Sequence, residues 1–287
     1  MKITNKTGLP QAFVEMAQSD YKPTPKRYSV TTLLKSTRSI ILGRRHNDEI
    51  QQDVSDMVWL LFGTAVHSVL EHQKETESEI KEASLAMPVF DYTVSGRYDL
   101  YEKNTKTVTD YKTCSVWKII HQDFSDWKKQ LLIYATIMNY NGYDVQHGRI
   151  VALMKDHSKS KAKFDSAYPQ YPVKQIQFDF TQQDFDEIKK FIDDKIHELS
   201  IAEKLPDDKL PLCTAEERLN AGDKYAVMRK GRKSALRVLD SEEEAQEYMD
   251  KHGGDSIQFR KGKDKKCADY CSCHEFCNYY LENVKGK

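Results

Sequence analysis

Net charge is the first thing the chain lacks: 44 Lys and Arg balance 44 Asp and Glu. That balance excludes a protein that grips nucleic acid through overall positive charge, while leaving room for a local basic face. Long apolar runs are also missing, and none approaches the length of a membrane span. The opening residues, Met1-Lys-Ile-Thr-Asn-Lys6, have no apolar core of the signal-peptide kind, so an intracellular, cytoplasmic location is expected. There is no internal repeat and no low-complexity segment. Cysteine is scarce over most of the chain, with only Cys114 before Cys213. A reducing compartment and this distribution argue against a disulfide framework. What remains is a polar globular chain of 287 residues, 39% hydrophobic and 31% charged, long enough for one large domain or two small ones.

The most informative stretch is Ser95-Gly-Arg-Tyr-Asp-Leu-Tyr101, a charged turn at 102–106, and Thr107-Val-Thr-Asp-Tyr-Lys-Thr113. The turn residues between two β-prone runs predict a hairpin. Asp99 stands on its first arm, and Asp110 and Lys112 on its second. Residues two apart on a strand point to the same face, so Asp110 and Lys112 share one. Two carboxylates can hold a hard divalent cation through oxygen, and a lysine can orient water or stabilise a charged transition state. Together they suit phosphodiester cleavage. An exposed polar hairpin with a weak salt bridge would carry the same residues.

Residues 28–34 open a helix with Ser29, Thr31 or Thr32 as N-cap. Residues 50–75 read as strongly helical, with Trp59, Phe62, Val66, Val69 and Leu70 expected to face the core. Within that helix His67 and Glu71 are four apart and share a face. His67 fits either a satisfied core histidine or a metal ligand. Residues 122–141 predict a second long helix in which Gln130 and Tyr134 are neighbours, either as ordinary polar helix residues or as holders of a phosphate or base. Residues 147–154 read as a strand beside the hairpin, 155–163 as a basic loop and 173–180 as a further strand. Residues 181–204 read as an amphipathic helix capped by Thr181, with Asp184 three residues on. This order indicates an α/β or α+β core with a mixed sheet flanked by helices.

Composition changes after residue 208. Short strands at 224–230 and 234–239, a helix capped by Ser241 and a third strand at 256–260 form a small unit. Between 224 and 266 there are 12 Lys and Arg against 8 Asp and Glu. Lys230, Arg232 and Lys233 crowd one turn, and Arg44 and Arg45 lie far upstream. Each group could be a DNA-contacting patch or a solvated face. The expected division is a lead-in at 1–27, a core at 28–212 and a basic subdomain at 213–287.

Four cysteines fall within Cys267-Ala-Asp-Tyr-Cys271-Ser-Cys273-His-Glu-Phe-Cys277. Such clustering suits a soft metal centre, with Cys213 as a distant ligand beside Cys267, Cys271 and Cys277. Structural zinc is the chemical rival of an iron–sulfur cluster, and Cys273 and His274 are spare donors. Cys114 reads as a packed thiol.

The ordered set Gly63…His67…Glu71, Gly96-Arg-Tyr-Asp99, Asp110-Tyr-Lys112 and Gln130-x-x-x-Tyr134 resembles the RecB-like branch of PD-(D/E)XK nucleases. The cysteine pattern resembles the iron–sulfur staple of AddB-type and CRISPR-adaptation exonucleases in that branch, with a wider gap between the first two tail cysteines. The resemblance spans about residues 28–280, and phage recombination nucleases look closest. It implies a restriction-endonuclease-like core, with His67, Asp99, Asp110 and the Tyr111 carbonyl as ligands of Mg²⁺ or Mn²⁺. Lys112 is then the catalytic lysine, Gln130 and Tyr134 support it, and Glu71 tunes a water or a second metal. The implied activity is metal-dependent DNA exonuclease action with a 4Fe-4S cluster, in phage-type recombination beside a recombinase or single-strand-annealing partner. The alternatives are a structure-specific endonuclease on DNA or RNA and a non-catalytic DNA-binding module that keeps the fold.

Overall fold

The computed structural model describes residues 1–18, 23–71, 76–81 and 83–286. The chain divides into two compact units: residues 1–35 with 48–203, and residues 36–47 with 204–287. Helix Thr37–Arg45 therefore belongs with the C-terminal segment, a placement that the contiguous division at residue 213 does not contain.

The first unit is built on a five-stranded sheet in the order Val173–Asp179, His147–Met154, Thr107–Cys114, Leu100–Glu102, Glu79–Lys81. Only the pair Thr107–Cys114 and His147–Met154 is parallel, so the sheet is mixed. A parallel pair needs a crossover. Here it is supplied by helices Val116–His121 and Ser125–Tyr140. The second of these buries Trp127, Leu131, Leu132, Ile133, Ala135, Ile137 and Met138. Opposing it, Ile150, Ala152 and Met154 alternate inward from strand His147–Met154 in strict period two. Helix Gln182–Ala202 carries Ile188, Ile192, Ile196 and Leu199 at helical spacing and buries all four. Thr181 and Asp184 form its capping box, as the sequence predicts.

A separate three-stranded sheet runs Arg27–Ser29, Tyr92–Arg97, Ser84–Val89. This revises the expected hairpin. Strand Tyr92–Arg97 pairs within this sheet, the chain bends at Tyr98 and Asp99, and Leu100–Glu102 then joins the central sheet against Thr107–Cys114. The break is pinned by Tyr98, which is almost wholly buried.

Residues 50–75 also differ from expectation. Gln51–Asp53 is a strand parallel to Lys2–Thr4, Val54–Met57 is a 3₁₀ turn, and the helix spans Val58–Glu71. Residues 72–75 lie outside the described residues. Leu61 and Met57 pack with Ala17 and Val54, whereas Trp59, Phe62 and Val69 are 60%, 45% and 65% exposed. The helix is apolar nearly all round, so periodicity could not say which stripe would be covered.

In the second unit, strand Lys224–Met228 lies between Arg237–Leu239 and Ser256–Arg260, with helix Glu242–His252 capped by Ser241. Among the described residues no helix is long and apolar enough to cross a membrane.

Candidate active site and thiol pocket

Strand Thr107–Cys114 carries the centre of the first site. Asp110 is 4% exposed and Lys112 half-buried, on one strand face, with Lys112 Nζ 2.7 Å from Asp110 Oδ2. Helix Ser125–Tyr140 lies over that face and brings Gln130 down onto both residues. Its Nε2 donates to Asp110 Oδ1 at 3.2 Å, and its Oε1 accepts from Lys112 Nζ at 2.9 Å. Tyr134, one turn further on, has its hydroxyl 3.5 Å from Gln130 Nε2. The four residues thus form one buried chain of polar contacts.

Asp99 enters from the bend between the two sheets. Leu100 pairs with Thr109, so the bend sets Asp99 beside Asp110 just where ladder pairing stops. Its Oδ2 accepts the Tyr111 backbone N–H at 2.7 Å, replacing the missing strand partner. Its Oδ1 lies 3.4 Å from His67 Nδ1, on helix Val58–Glu71. His67 also meets the Tyr111 ring edge-on, with centroids 6.3 Å apart. The Glu71 backbone ends that helix, and its side chain lies outside the described residues.

Electrostatics mark Asp110 as the strained member. Burial pushes its carboxyl up to about 6, against the pull of Lys112 and helped by the like charge of Asp99. Its Oδ2 is buried without an aligned hydrogen-bond donor, although the Lys112 ammonium is in ion-pair range. His67 is raised above its ordinary value, chiefly by its hydrogen bond to Asp99. Burial raises the Tyr134 hydroxyl well beyond the usual phenol range, so it stays neutral at any working pH and accepts from Gln130 Nε2. The donor set of one imidazole and two carboxylates is of the kind that can hold Mg²⁺ or Mn²⁺. Among the described residues, no three His, Cys, Asp or Glu side chains already stand in a closed metal cage.

Sequence reading missed what Gly96 does. A Cβ there would lie 2.6 Å from Tyr134 Cε1 and 2.7 Å from Val30 Cγ2, so glycine lets the Tyr134 ring close over the strand. The glycine of Gly96-Arg-Tyr-Asp was visible; its partner across the fold was not.

The second unit gathers five thiols. Cys213, Cys267, Cys271, Cys273 and Cys277 line one pocket with Arg38, Arg218 and His274, and none is in a disulfide. Cys273 is the most buried and lies 3.6 Å from Cys271. That contact holds the Cys271 thiol down, to about 6, and pushes Cys273 up. Arg38 is 3% exposed. It donates to the carbonyls of Pro211 and Leu210, to Asn278 Oδ1 at 2.6 Å and to Cys277 Sγ at 3.6 Å. Among the described residues no carboxylate pairs with it, so a buried positive charge faces the sulfurs. Cys114 lies apart from this pocket, at the end of its strand, with its thiol raised by burial.

The expected DNA contacts separate. Lys230, Arg232 and Lys233 are exposed on the turn between the first two strands of the small sheet. Arg45, also exposed, pairs with Asp207 at 2.6 Å and donates to the Leu205 carbonyl at 2.7 Å. His46 braces the same carboxylate at 2.8 Å while stacking on Phe276. Arg44, next to it, is half-buried.

No family model matches this chain, and no curated protein does. Among solved structures it is similar to an alkaline exonuclease from Laribacter hongkongensis, at 10% identity over 61% of this chain and 89% of that one, with a TM-score of 0.40. A structure of the same exonuclease in complex with dAMP gives 13% identity, 60% and 91% coverage and a TM-score of 0.35. A phage-related exonuclease from Haemophilus somnus gives 10% identity, 66% and 79% coverage and a TM-score of 0.30. Likenesses this loose say nothing about substrate or chemistry.

Proposed function

We propose that this chain is a metal-dependent deoxyribonuclease of the RecB-like kind, acting as an exonuclease on DNA ends. The observation that carries the reading is the convergence of His67, Asp99, Asp110 and Lys112, from a helix, an inter-sheet bend and a strand, around the buried carboxylate of Asp110. His67, Asp99, Asp110 and the Tyr111 carbonyl would hold Mg²⁺ or Mn²⁺. When bound, such an ion acidifies water and neutralises charge building on the phosphate.

The chain's own residues do the rest. Lys112, anchored by Gln130, can hand its ammonium from Asp110 to a phosphate oxygen and so stabilise the charged transition state. Gln130 fixes that amine by accepting from it, and fixes Asp110 by donating to it. Neutral Tyr134 steadies the Gln130 amide. The exposed turn of Lys230, Arg232 and Lys233 can add phosphate contacts.

The thiol pocket is assigned to a soft metal centre, a 4Fe-4S cluster in this reading, with zinc as the rival. Five thiols lining one pocket, beside an Arg38 that pairs with no carboxylate among the described residues, are the observations behind it, since thiolates would supply negative charge there. Among the described residues no three of them already stand as a metal-holding group. A role in phage-type recombination with an annealing partner completes the proposal.

The test is digestion of end-labelled linear DNA, circular DNA and RNA by purified protein with Mn²⁺, Mg²⁺ or EDTA. Divalent-ion-dependent loss of linear DNA is expected, abolished by Lys112→Ala. Unchanged hydrolysis in Lys112→Ala would refute the site. Protein purified without oxygen should be brown, and stoichiometric zinc without iron would refute the cluster alone.

A further inference from the structure

One stripe of helix Val58–Glu71 runs along the strand that carries Asp110 and Lys112. Residues four apart share a helix face. His67 meets Asp99 and Tyr111, and a Cβ on Gly63 would lie 3.4 Å from Thr113 Oγ1. The next position on that stripe is Trp59, 60% exposed, with Lys155 Nζ 4.1 Å from its ring centroid. Lys155 is itself tied to the end of the same strand, its backbone N–H donating to the Cys114 carbonyl at 3.0 Å. The indole therefore stands where the site strand ends, eight residues from His67. That is about 12 Å along the helix axis, or roughly three to four stacked nucleotides.

A large planar side chain left in water, with an ammonium over its ring, has no role in the core. Phe62 meets it edge-on at 6.3 Å and leaves ring surface open. Beyond Lys155 the chain is basic, with Lys159, Lys161 and Lys163 on a short exposed helix. Just after the strand, Trp117 is 56% exposed, on the helix whose first turn is held by Asp156. Aromatic surface interleaved with lysines beside a candidate phosphodiesterase site fits a strand with unpaired bases and a phosphate backbone.

We propose that Trp59, held by Lys155, is a stacking platform for a base of single-stranded DNA entering the site of Asp99 and Asp110, and that it selects single-stranded over duplex ends. This rests on the nuclease reading and adds its substrate preference. An unpaired base offers a free π-face to the indole; bases inside a duplex have theirs covered by neighbours. Lys155 keeps the ring from turning away and places a cation beside the backbone of the stacked nucleotide.

The experiment measures binding in EDTA, where hydrolysis is off, using a fluorescein-labelled thymidine oligonucleotide and a blunt duplex. Intrinsic tryptophan quenching provides a second signal. Trp59→Ala should weaken single-strand binding about 5- to 150-fold and leave duplex binding unchanged, while Trp59→Phe recovers most of the loss. An abasic nucleotide at the stacked position should cost the wild type as much and cost Trp59→Ala nothing more. Equal losses on both substrates, or no loss on either, overturn the inference. If wild-type protein degrades DNA with no dependence on Trp59, this inference falls and the nuclease reading stands; if wild-type protein neither binds nor cuts DNA, both fall. Sedimentation that finds a dimer split by Trp59→Ala would give this face to a second copy of the chain, and overturn the inference too.

Discussion

Replacing Asp110 by Asn should make the protein more stable while removing its activity, and the size of the gain follows from the site. Burial lifts the Asp110 carboxyl from its ordinary 3.8 to about 6, with the attraction of Lys112 already counted in that value. A change of that size corresponds to roughly 3 kcal/mol between the ionised and neutral forms, an upper bound for so tightly paired a group. The sign runs against the usual carboxylate. Below about pH 4 the group is neutral folded and unfolded, and nothing is lost. Between about pH 4 and 6 the unfolded chain ionises first, so stability falls as pH rises; above 6 the whole cost is present. Urea unfolding in EDTA should show Asp110→Asn more stable than wild type by about 1–3 kcal/mol at pH 8, by roughly half of that at pH 5, and nearly level with it below about pH 4. Mn²⁺ should then reverse the order. An ion at a hundredfold excess over its Kd adds about 2.7 kcal/mol to the wild type, and the Asp110→Asn variant, with a neutral amide in place of the carboxylate, would forfeit most of that. A variant less stable than wild type at pH 8 in EDTA, or one stabilised equally by Mn²⁺, would refute the reasoning.

Gly96→Ala should cost about 1–3 kcal/mol through overpacking, because its methyl would sit 2.6 Å from the Tyr134 ring and 2.7 Å from Val30. Nuclease assays should show a further loss at temperatures where the variant is fully folded, since Tyr134 steadies Gln130; full activity in the folded variant would contradict that link. Asp53 is held below the ordinary carboxylate range by the Lys6 N–H and then by Ser55 and Thr4. Its contribution is present above about pH 4 and lost as pH falls, so Asp53→Asn should lower the wild-type melting temperature at pH 7 and converge with it under acid. Arg38→Met should lower metal per chain in protein purified without oxygen, because it removes the positive charge facing Cys277; metal analysis giving wild-type content would show that the guanidinium does not balance a thiolate centre.

Much of the fold was legible because several elements announce themselves locally. Thr181 and Asp184 write a capping box, Ser241 caps its helix, and residues 147–154 and 173–180 alternate as strands do. The apolar helix was harder. Trp59, Phe62 and Val69 satisfy a 3.6-residue period as well as Leu61 and Met57 do, and only the neighbours Ala17 and Val54 decide which side is covered. Arg45 could not be resolved from the sequence for a related reason. Its partner Asp207 lies 162 residues away, and nothing local distinguishes a paired guanidinium from one that awaits a phosphate. The thiol pocket was legible as a cluster, yet Arg38 within it was not, since its charge is conspicuous only once burial is known.

The pair Asp99 and Asp110 was found through a hairpin that exists only in part, and the difference bears on how the site works. In an unbroken hairpin, Asp99 would be one more ladder residue with its backbone paired across to the second arm. Instead the chain leaves one sheet at Arg97, bends at Tyr98 and Asp99, and enters another at Leu100. Freed from the ladder, the Asp99 side chain takes the Tyr111 N–H as a strand carbonyl would, and still has an oxygen to offer His67. A carboxylate that both substitutes for a strand and reaches a helix ties three elements together at the point where a cation is proposed. Because Tyr98 is buried and cannot follow a moving loop, the distance between the two acids is set by the packing of both sheets. A site fixed in this way is held by the core rather than by a loop, which is the preorganisation that electrostatic stabilisation of a transition state requires.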